Sequence, residues 1–161
     1  MKWLRRGLGA VVALALLVAG ALAVYAWRAM PSETGELTLA GLDKPVRIAR
    51  DANGIPTISG ESVRDVMFGL GVAHAQDRLW QLETHRRIGS GRLSEAFGSG
   101  GVETDRFLRA LGVRRAAAAQ WAQTQGESRA VLEAYAAGIN TYVRQHLKAR
   151  PPEMLDRKSV V

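Results

Sequence analysis

The sequence predicts an α+β chain: one apolar membrane helix, then a β-hairpin, then mostly helices. Three observations carry this expectation. Residues Gly7 to Trp27 form an uncharged run rich in Ala, Leu and Val. Asn53-Gly54 stands between short apolar runs, a strong hairpin signal because both residues tolerate positive φ. From Ser62 to His146, apolar residues recur at helical spacing between Gly-rich stops.

As a helix the apolar run would rise about 30 Å, one bilayer core, and it lacks the polar face that a soluble helix needs. Lys2, Arg5 and Arg6 precede it and Arg28 closes it, a charge order that keeps Met1 cytoplasmic and exports the rest. Residues 1–29 are therefore expected to be a signal peptide or a signal-anchor helix, touching the membrane through residues 7–27. Length favours retention, since cleaved signals carry an apolar region of about 7 to 15 residues, whereas Ala21-Leu-Ala23 and Val24-Tyr-Ala26 offer cleavage patterns. The expected location is periplasmic, either anchored to the inner membrane or released after signal cleavage.

The chain has no Cys, which excludes disulfides and thiolate metal sites; export permits disulfides without demanding them. Of the formal charge of +7, nearly half lies in the first 35 residues, where Lys2, Arg5, Arg6 and Arg28 stand against Glu33. The remaining Arg is interleaved with Asp and Glu and no nucleic-acid motif accompanies it, so no nucleic-acid partner is expected.

Residues 30–35 read as a polar linker. Glu36 to Leu42 alternates enough to predict a strand, and Val46 and Ile48, then Ile55 and Ile58, flank the Asn-Gly turn. Pro56 removes a backbone donor, which puts its strand at an edge or makes it irregular there. Ser62 with Asp65 resembles a capping box, and Val63, Val66, Met67, Leu70, Val72, Ala75, Leu79, Leu82 and Arg86 predict one stripe running to the Gly89-Ser-Gly91 stop. Gly69 and Gly71 inside it either kink the helix or permit close packing. Gly91 to Gly101 predicts a short helical turn between glycine breaks, and two further helices are expected at about Thr104 to Gln123 and Ser128 to His146.

The chemistry-bearing residues favour support over catalysis. His74 and His85 return to one helical face but roughly 16 Å apart along the axis, too far to share a metal ion. His74 and Asp77 could imitate a base and its orienter, but no Ser belongs to a Gly-x-Ser-x-Gly elbow, so a local structural pair is the better reading. Asp77, Arg78, Glu83, Arg86, Arg87, Arg92 and Glu95 alternate in sign, interrupted by Leu79 and Leu82 that turn some of them towards packed surface. Charges there must be paired and hydrogen-bonded, which makes Asp77, Arg78 and Arg92 candidates for a structural ion-pair network. Gly98-Ser-Gly-Gly101 lacks the Lys and the spacing of a phosphate loop.

These residues, with Gly54-Ile-Pro56, His74-Ala-Gln-Asp-Arg-Leu-Trp-Gln81, Arg86-Arg87, Gly91-Arg-Leu-Ser-Glu95 and Tyr135-Ala-Ala-Gly-Ile-Asn140, resemble the opening of the α-chain region in the penicillin acylase (penicillin amidase) family of N-terminal nucleophile hydrolases. The resemblance runs from roughly Gly35 to Pro152 and departs at Thr57, where many members carry His. It implies that residues 36–155 are part of an acylase α-chain region and the N-terminal portion of an αββα sandwich. It further implies an exported precursor that cuts itself into α and β chains and hydrolyses linear amides, of β-lactam side chains or N-acyl-homoserine lactones. The implied nucleophile is a Ser at the start of the β chain with its own α-amine as base, a group whose ordinary pKa of about 8 suits the task.

On that resemblance the catalytic residues belong to the β-chain half and none is expected in this chain; no cofactor is expected either, with calcium left open for the complete protein. Residues 156–161 can be encoded by a widely used sequencing adapter and are expected to be a non-native tail, with a longer reading frame in the natural gene. The rival expectation is a non-catalytic, membrane-tethered helical interaction module.

Overall fold

The computed structural model describes residues 2–30 and 34–147; part of the 30–35 linker and the whole 156–161 tail lie outside them. Helix α1 spans Lys2–Ala29. Within it Arg6–Ala29 is 24 residues of mean hydropathy 2.5, long and apolar enough to cross a membrane, and none of it is buried against the rest of the chain. A signal sequence has the same properties.

Strands β1 (Arg47–Arg50) and β2 (Pro56–Ser59) pair antiparallel with Ile48 opposite Ile58 and Arg50 opposite Pro56. The turn is not the two-residue type that Asn-Gly suggests. Only Gly54 takes positive φ, at 77°, while Asn53 does not. Asp51 N–H donates to Ile55 O at 3.2 Å and Gly54 N–H to Asp51 O at 2.9 Å, so a three-residue loop closes with Gly in the left-handed position. The Asp51 carboxylate accepts from Asn53 and Ile55 N–H at 2.8 and 2.9 Å and stiffens the loop.

Helix α2 (Val63–Asp77) starts on Ser62, whose side chain accepts from Asp65 N–H. The expected single stripe is replaced by two helices: Arg78, at φ −139° and ψ 27°, breaks the chain before α3 (Leu79–Ser90). Val72 and Ala75 are inside as expected, but the buried face of α2 also takes in Asp65, Phe68, Gly69, Gly71 and Ala73, and Val63 is 58% exposed. Two close contacts set this face. Gly69 lies under Val46 and Ile58 of the hairpin, and Gly71 lies against the backbone of Tyr135 and Ile139. The glycines therefore serve close packing and do not kink the helix.

After Gly91, left-handed at φ 62°, come α4 (Ser94–Phe97), a 3-10 turn (Gly98–Gly101) and α5 (Val102–Leu111). The helix expected from Thr104 to Gln123 is cut at Gly112, φ 77°, into α5 and α6 (Val113–Gln123). Helix α7 (Gly126–His146) then crosses α2, with Gly138 seated on the Phe68 backbone.

The core lies at this crossing: Phe68, Val72, Ala75, Ala134 and Tyr142, flanked by Leu39, Leu42, Ile48, Met67, Ala137 and Ile139. Leu39 and Leu42 come from the segment expected to be a strand. It is irregular instead, because the chain turns at Gly41 (φ 109°), against whose open side the Phe68 ring packs.

Candidate functional site

Polar groups form four clusters along the chain, each linking separate elements. Asp65, 0% exposed, accepts from Asp43 N–H at 3.0 Å and from the Ser62 hydroxyl at 2.8 Å. It ties the irregular segment before β1 to the start of α2. The backbone hydrogen bond from Asp43, joined by Ser62, outweighs burial and holds the carboxyl below its usual range.

At the other end of α2, Arg50 of β1 forks onto Asp77, Nη1 to Oδ2 at 2.7 Å and Nη2 to Oδ1 at 2.9 Å, and Nη2 also donates to Gln76 Oε1 at 3.1 Å. The planar guanidinium matches the carboxylate through two parallel bonds, which fixes direction as well as distance. Tyr142 of α7 lies beside this group. Burial first, then the Asp77 charge, pushes its hydroxyl pKa up, opposed by a hydrogen bond with Gln76. His146 stacks on Tyr142 at 6.1 Å between ring centroids. His74 Nδ1 and the Tyr135 hydroxyl lie 2.9 Å apart across the α2–α7 crossing.

On α3, Glu83 and Arg87 are both buried side chains, 2.8 Å apart at i, i+4. Arg86 forks onto the same Glu83 at 2.7 and 2.8 Å. Arg87 reaches Glu95 at 3.4 Å, and Arg92 forks onto Glu95 at 2.7 and 2.8 Å. Burial by itself raises the Glu83 pKa, but the hydrogen bonds and charges of Arg86 and Arg87 overcome it and leave the carboxyl below its usual range.

The fourth cluster centres on Asp105 of α5. Its carboxylate accepts from Leu93 N–H at 2.6 Å, Ser94 N–H at 2.8 Å and the Ser94 hydroxyl at 2.5 Å. It therefore caps α4 from twelve residues away. Burial opposes ionisation here too and is overcome by Ser94, Leu93 and the charge of Arg109, so this carboxyl also titrates low.

The three residues singled out from sequence do not form one network. Asp77 belongs with Arg50 and Arg92 with Glu95, whereas exposed Arg78 sits at the helix break and donates to Gln81 at 3.1 Å. Nor do His74 and Asp77 pair, since one faces Tyr135 and the other Arg50. Sequence reasoning missed Arg50, Tyr135 and Asp105 as members. The Glu83–Arg87 spacing was legible as an i, i+4 pair; the partners of Arg50 and Asp105 come from other elements and left no local signal.

Among the described residues, no group of three or more His, Asp or Glu could hold a metal ion. The three buried carboxylates titrate low, so none of them is a proton donor near neutral pH. The arrangement supports geometry. Beside it an open groove of about 710 Å³ runs between the irregular segment and α2, floored by Leu39, Leu42, Val46, Phe68 and Val72.

Residues 45–158 match the family model described as penicillin amidase. The acyl-homoserine lactone acylase QuiP of Pseudomonas fluorescens is 33% identical over 150 residues, 93% of this chain and 18% of that protein. The penicillin acylase 2 proenzyme of Pseudomonas sp. strain SE83 is 38% identical over 115 residues, 71% of this chain and 15% of that protein. Among solved structures, the thermostable penicillin G acylase from Alcaligenes faecalis superposes with a TM-score of 0.62 at 30% identity, covering 71% of this chain and 63% of that chain. The hairpin followed by helices is a fold shared with that acylase. The chain spans less than a fifth of the length of these two curated relatives.

Proposed function

Because the chain belongs to the penicillin amidase family, we propose that it is the α-chain opening of an exported amidohydrolase precursor and acts as the frame on which a β-chain half breaks a linear amide bond. The observation that supports this most is the state of its buried acids. Asp65, Glu83 and Asp105 are each held below the usual carboxyl range by hydrogen-bond donors, Asp65 and Asp105 by groups outside their own helices and Glu83 by Arg86 and Arg87 of its own helix, which is what a rigid support needs and what a general acid cannot use.

The nucleophile in this reading is a Ser that begins the β chain, with its α-amine as base, and the site is completed by residues beyond this segment. A calcium ion in the complete protein would need ligands from outside the described residues. Helix α1 delivers the precursor to the periplasm as a signal or holds it at the inner membrane. The substrate favoured is an N-acyl-homoserine lactone, the class named for the relative matched over most of this chain; a penicillin side-chain amide is the second choice, named for another relative.

The test is to express the complete precursor with and without its β-chain half and to follow release of the amine from an N-acyl-homoserine lactone and from penicillin G. The expected result is hydrolysis by the complete protein alone, lost when the leading Ser of the β chain becomes Ala. Turnover by the 161-residue chain itself would overturn the proposal, and a complete protein inactive on every linear amide would leave the non-catalytic tethered module as the better account.

A further inference from the structure

Between the end of α3 and the α5–α6 turn lies an open hollow of about 380 Å³, walled by Arg92, Arg109, Arg114 and Arg115 with no Asp or Glu in its lining. The fold brings these side chains together. Gly91, left-handed at φ 62°, leaves room for the Arg109 stem, whose Nε donates to Gly91 O at 2.7 Å. Gly112 ends α5 and turns α6 against α3, and the Arg115 guanidinium lies over its bare face. Arg92 is matched by Glu95, and the Asp105 carboxylate that acts on Arg109 is hydrogen-bonded to Leu93 and Ser94. Arg114 and Arg115 are exposed and make no ion pair with any described residue. Both stand in the first turn of α6, which carries no acid, so the helix dipole and the neighbouring arginines oppose them there. A break of the local rule on this scale is expected where a side chain serves something beyond its own helix.

We propose that this hollow is a docking point for the rest of the precursor, in which Arg114 and Arg115 grip an Asp or Glu carboxylate carried by the part of the protein beyond this chain. The inference rests on the reading of the chain as a frame for a β-chain half. Two observations choose the occupant. The chain spans 18% and 15% of two relatives, so on that reading most of the folded protein packs onto it from outside. Charge complementarity is the second, because a guanidinium fork matches the two oxygens of a carboxylate. The chain already joins separate elements in this way, through Arg50 and Asp77 and through Arg87 and Glu95. The hollow presents the arginine half of such a joint.

Phenylglyoxal, which modifies accessible guanidinium groups, is applied to the complete precursor in phosphate-free buffer, and the modified sites are read by mass spectrometry. The expected result is modification of Arg114 and Arg115 about tenfold slower than in the urea-unfolded precursor, as a charge-assisted pair requires. The complete precursor carrying Arg114→Lys or Arg115→Lys is then treated with a water-soluble carbodiimide, which joins an amine to a carboxylate in direct contact. In at least one of the two variants the new amine should couple to an Asp or Glu of the same molecule outside residues 1–161.

Arginines modified as fast as in the unfolded protein would overturn the proposal. So would protection that appears only with added phosphate, which would mark a site for a free anion. Coupling to an acid within residues 1–161 or to a second copy would overturn it as well, and so would no coupling at all, since the hollow would then be covered without an acid. None of these readouts needs turnover. A complete protein inactive on linear amides but coupled as expected refutes the catalytic reading and keeps the docking point, whereas an active protein with an open hollow does the reverse.

Discussion

The α2–α7 crossing and the α5–α6 arm use the same small residues to opposite ends. At the crossing, Ala73, Ala75 and Ala134 are buried and Gly71 and Gly138 bring backbone against backbone. On α6, Ala116 to Ala119 are all exposed, and no residue of that helix is buried. Small side chains gain from packing only where the opposing helix offers a matching notch, because the reward is dispersion and dehydration over a close contact. Glycine supplies that notch at the crossing; nothing among the described residues supplies it on the arm.

The largest expected effect breaks the crossing. A Cβ on Gly138 would overlap the Phe68 carbonyl oxygen, and backbone on both sides cannot yield. Gly138→Ala should therefore cost more than about 5 kcal/mol or abolish folding, read as loss of soluble complete precursor; normal yield and unfolding midpoint would refute the tight crossing. Next comes the buried pair on α3. Arg87→Met leaves Glu83 with only the fork from Arg86 and should cost about 2 to 3 kcal/mol, whereas Glu83→Leu combined with Arg87→Met should cost less, since no buried charge is then left under-paired. Urea unfolding of the complete protein gives the comparison, and equal losses would mean that the pair is not desolvated.

Acid should sharpen the contrast further. Asp65, Glu83 and Asp105 have folded-state pKa values below their ordinary ones, so the unfolded chain takes up protons more readily than the folded one. Their stabilisation is complete above the ordinary carboxyl range of about 4 and is lost as pH falls through the lowered folded-state values. A midpoint of thermal unfolding that does not fall over this acidic window would contradict the assignment. A smaller effect is expected at Arg50→Lys, which loses the fork onto Asp77 and should cost about 1 to 2 kcal/mol. Smallest is Phe107→Ser on the arm, within about 0.5 kcal/mol by unfolding; a larger loss would show that the side chain is packed after all.

Much of the frame was legible because it is local. Asn53-Gly54 announced the hairpin, Ser62 and Asp65 the start of α2, and Gly91 the end of α3, each through chemistry confined to a few residues. Failures arose where distant contacts decide. The alternation of Glu36 to Leu42 suits a strand, yet the Phe68 ring on Gly41 turns the segment into an irregular cover. Leucines at helical spacing could not show the break at Arg78, nor could the α5–α6 pattern fix Gly112 as a stop. Among the candidate residues, Asp77 pairs with Arg50 and Arg92 with Glu95, in separate clusters. Glu95, three residues from Arg92, was within local reach, whereas Arg50, on a strand 27 residues before Asp77, was not.

One consequence follows from the fork between Arg50 and Asp77. Side chains alternate across a strand, so sliding β1 by a single residue against β2 would swing Arg50 to the opposite face and strand Asp77. The ion pair thus acts as a proofreading mark for strand alignment. Any misaligned hairpin forfeits two charge-assisted bonds at once, so a short pair of strands is held to one register.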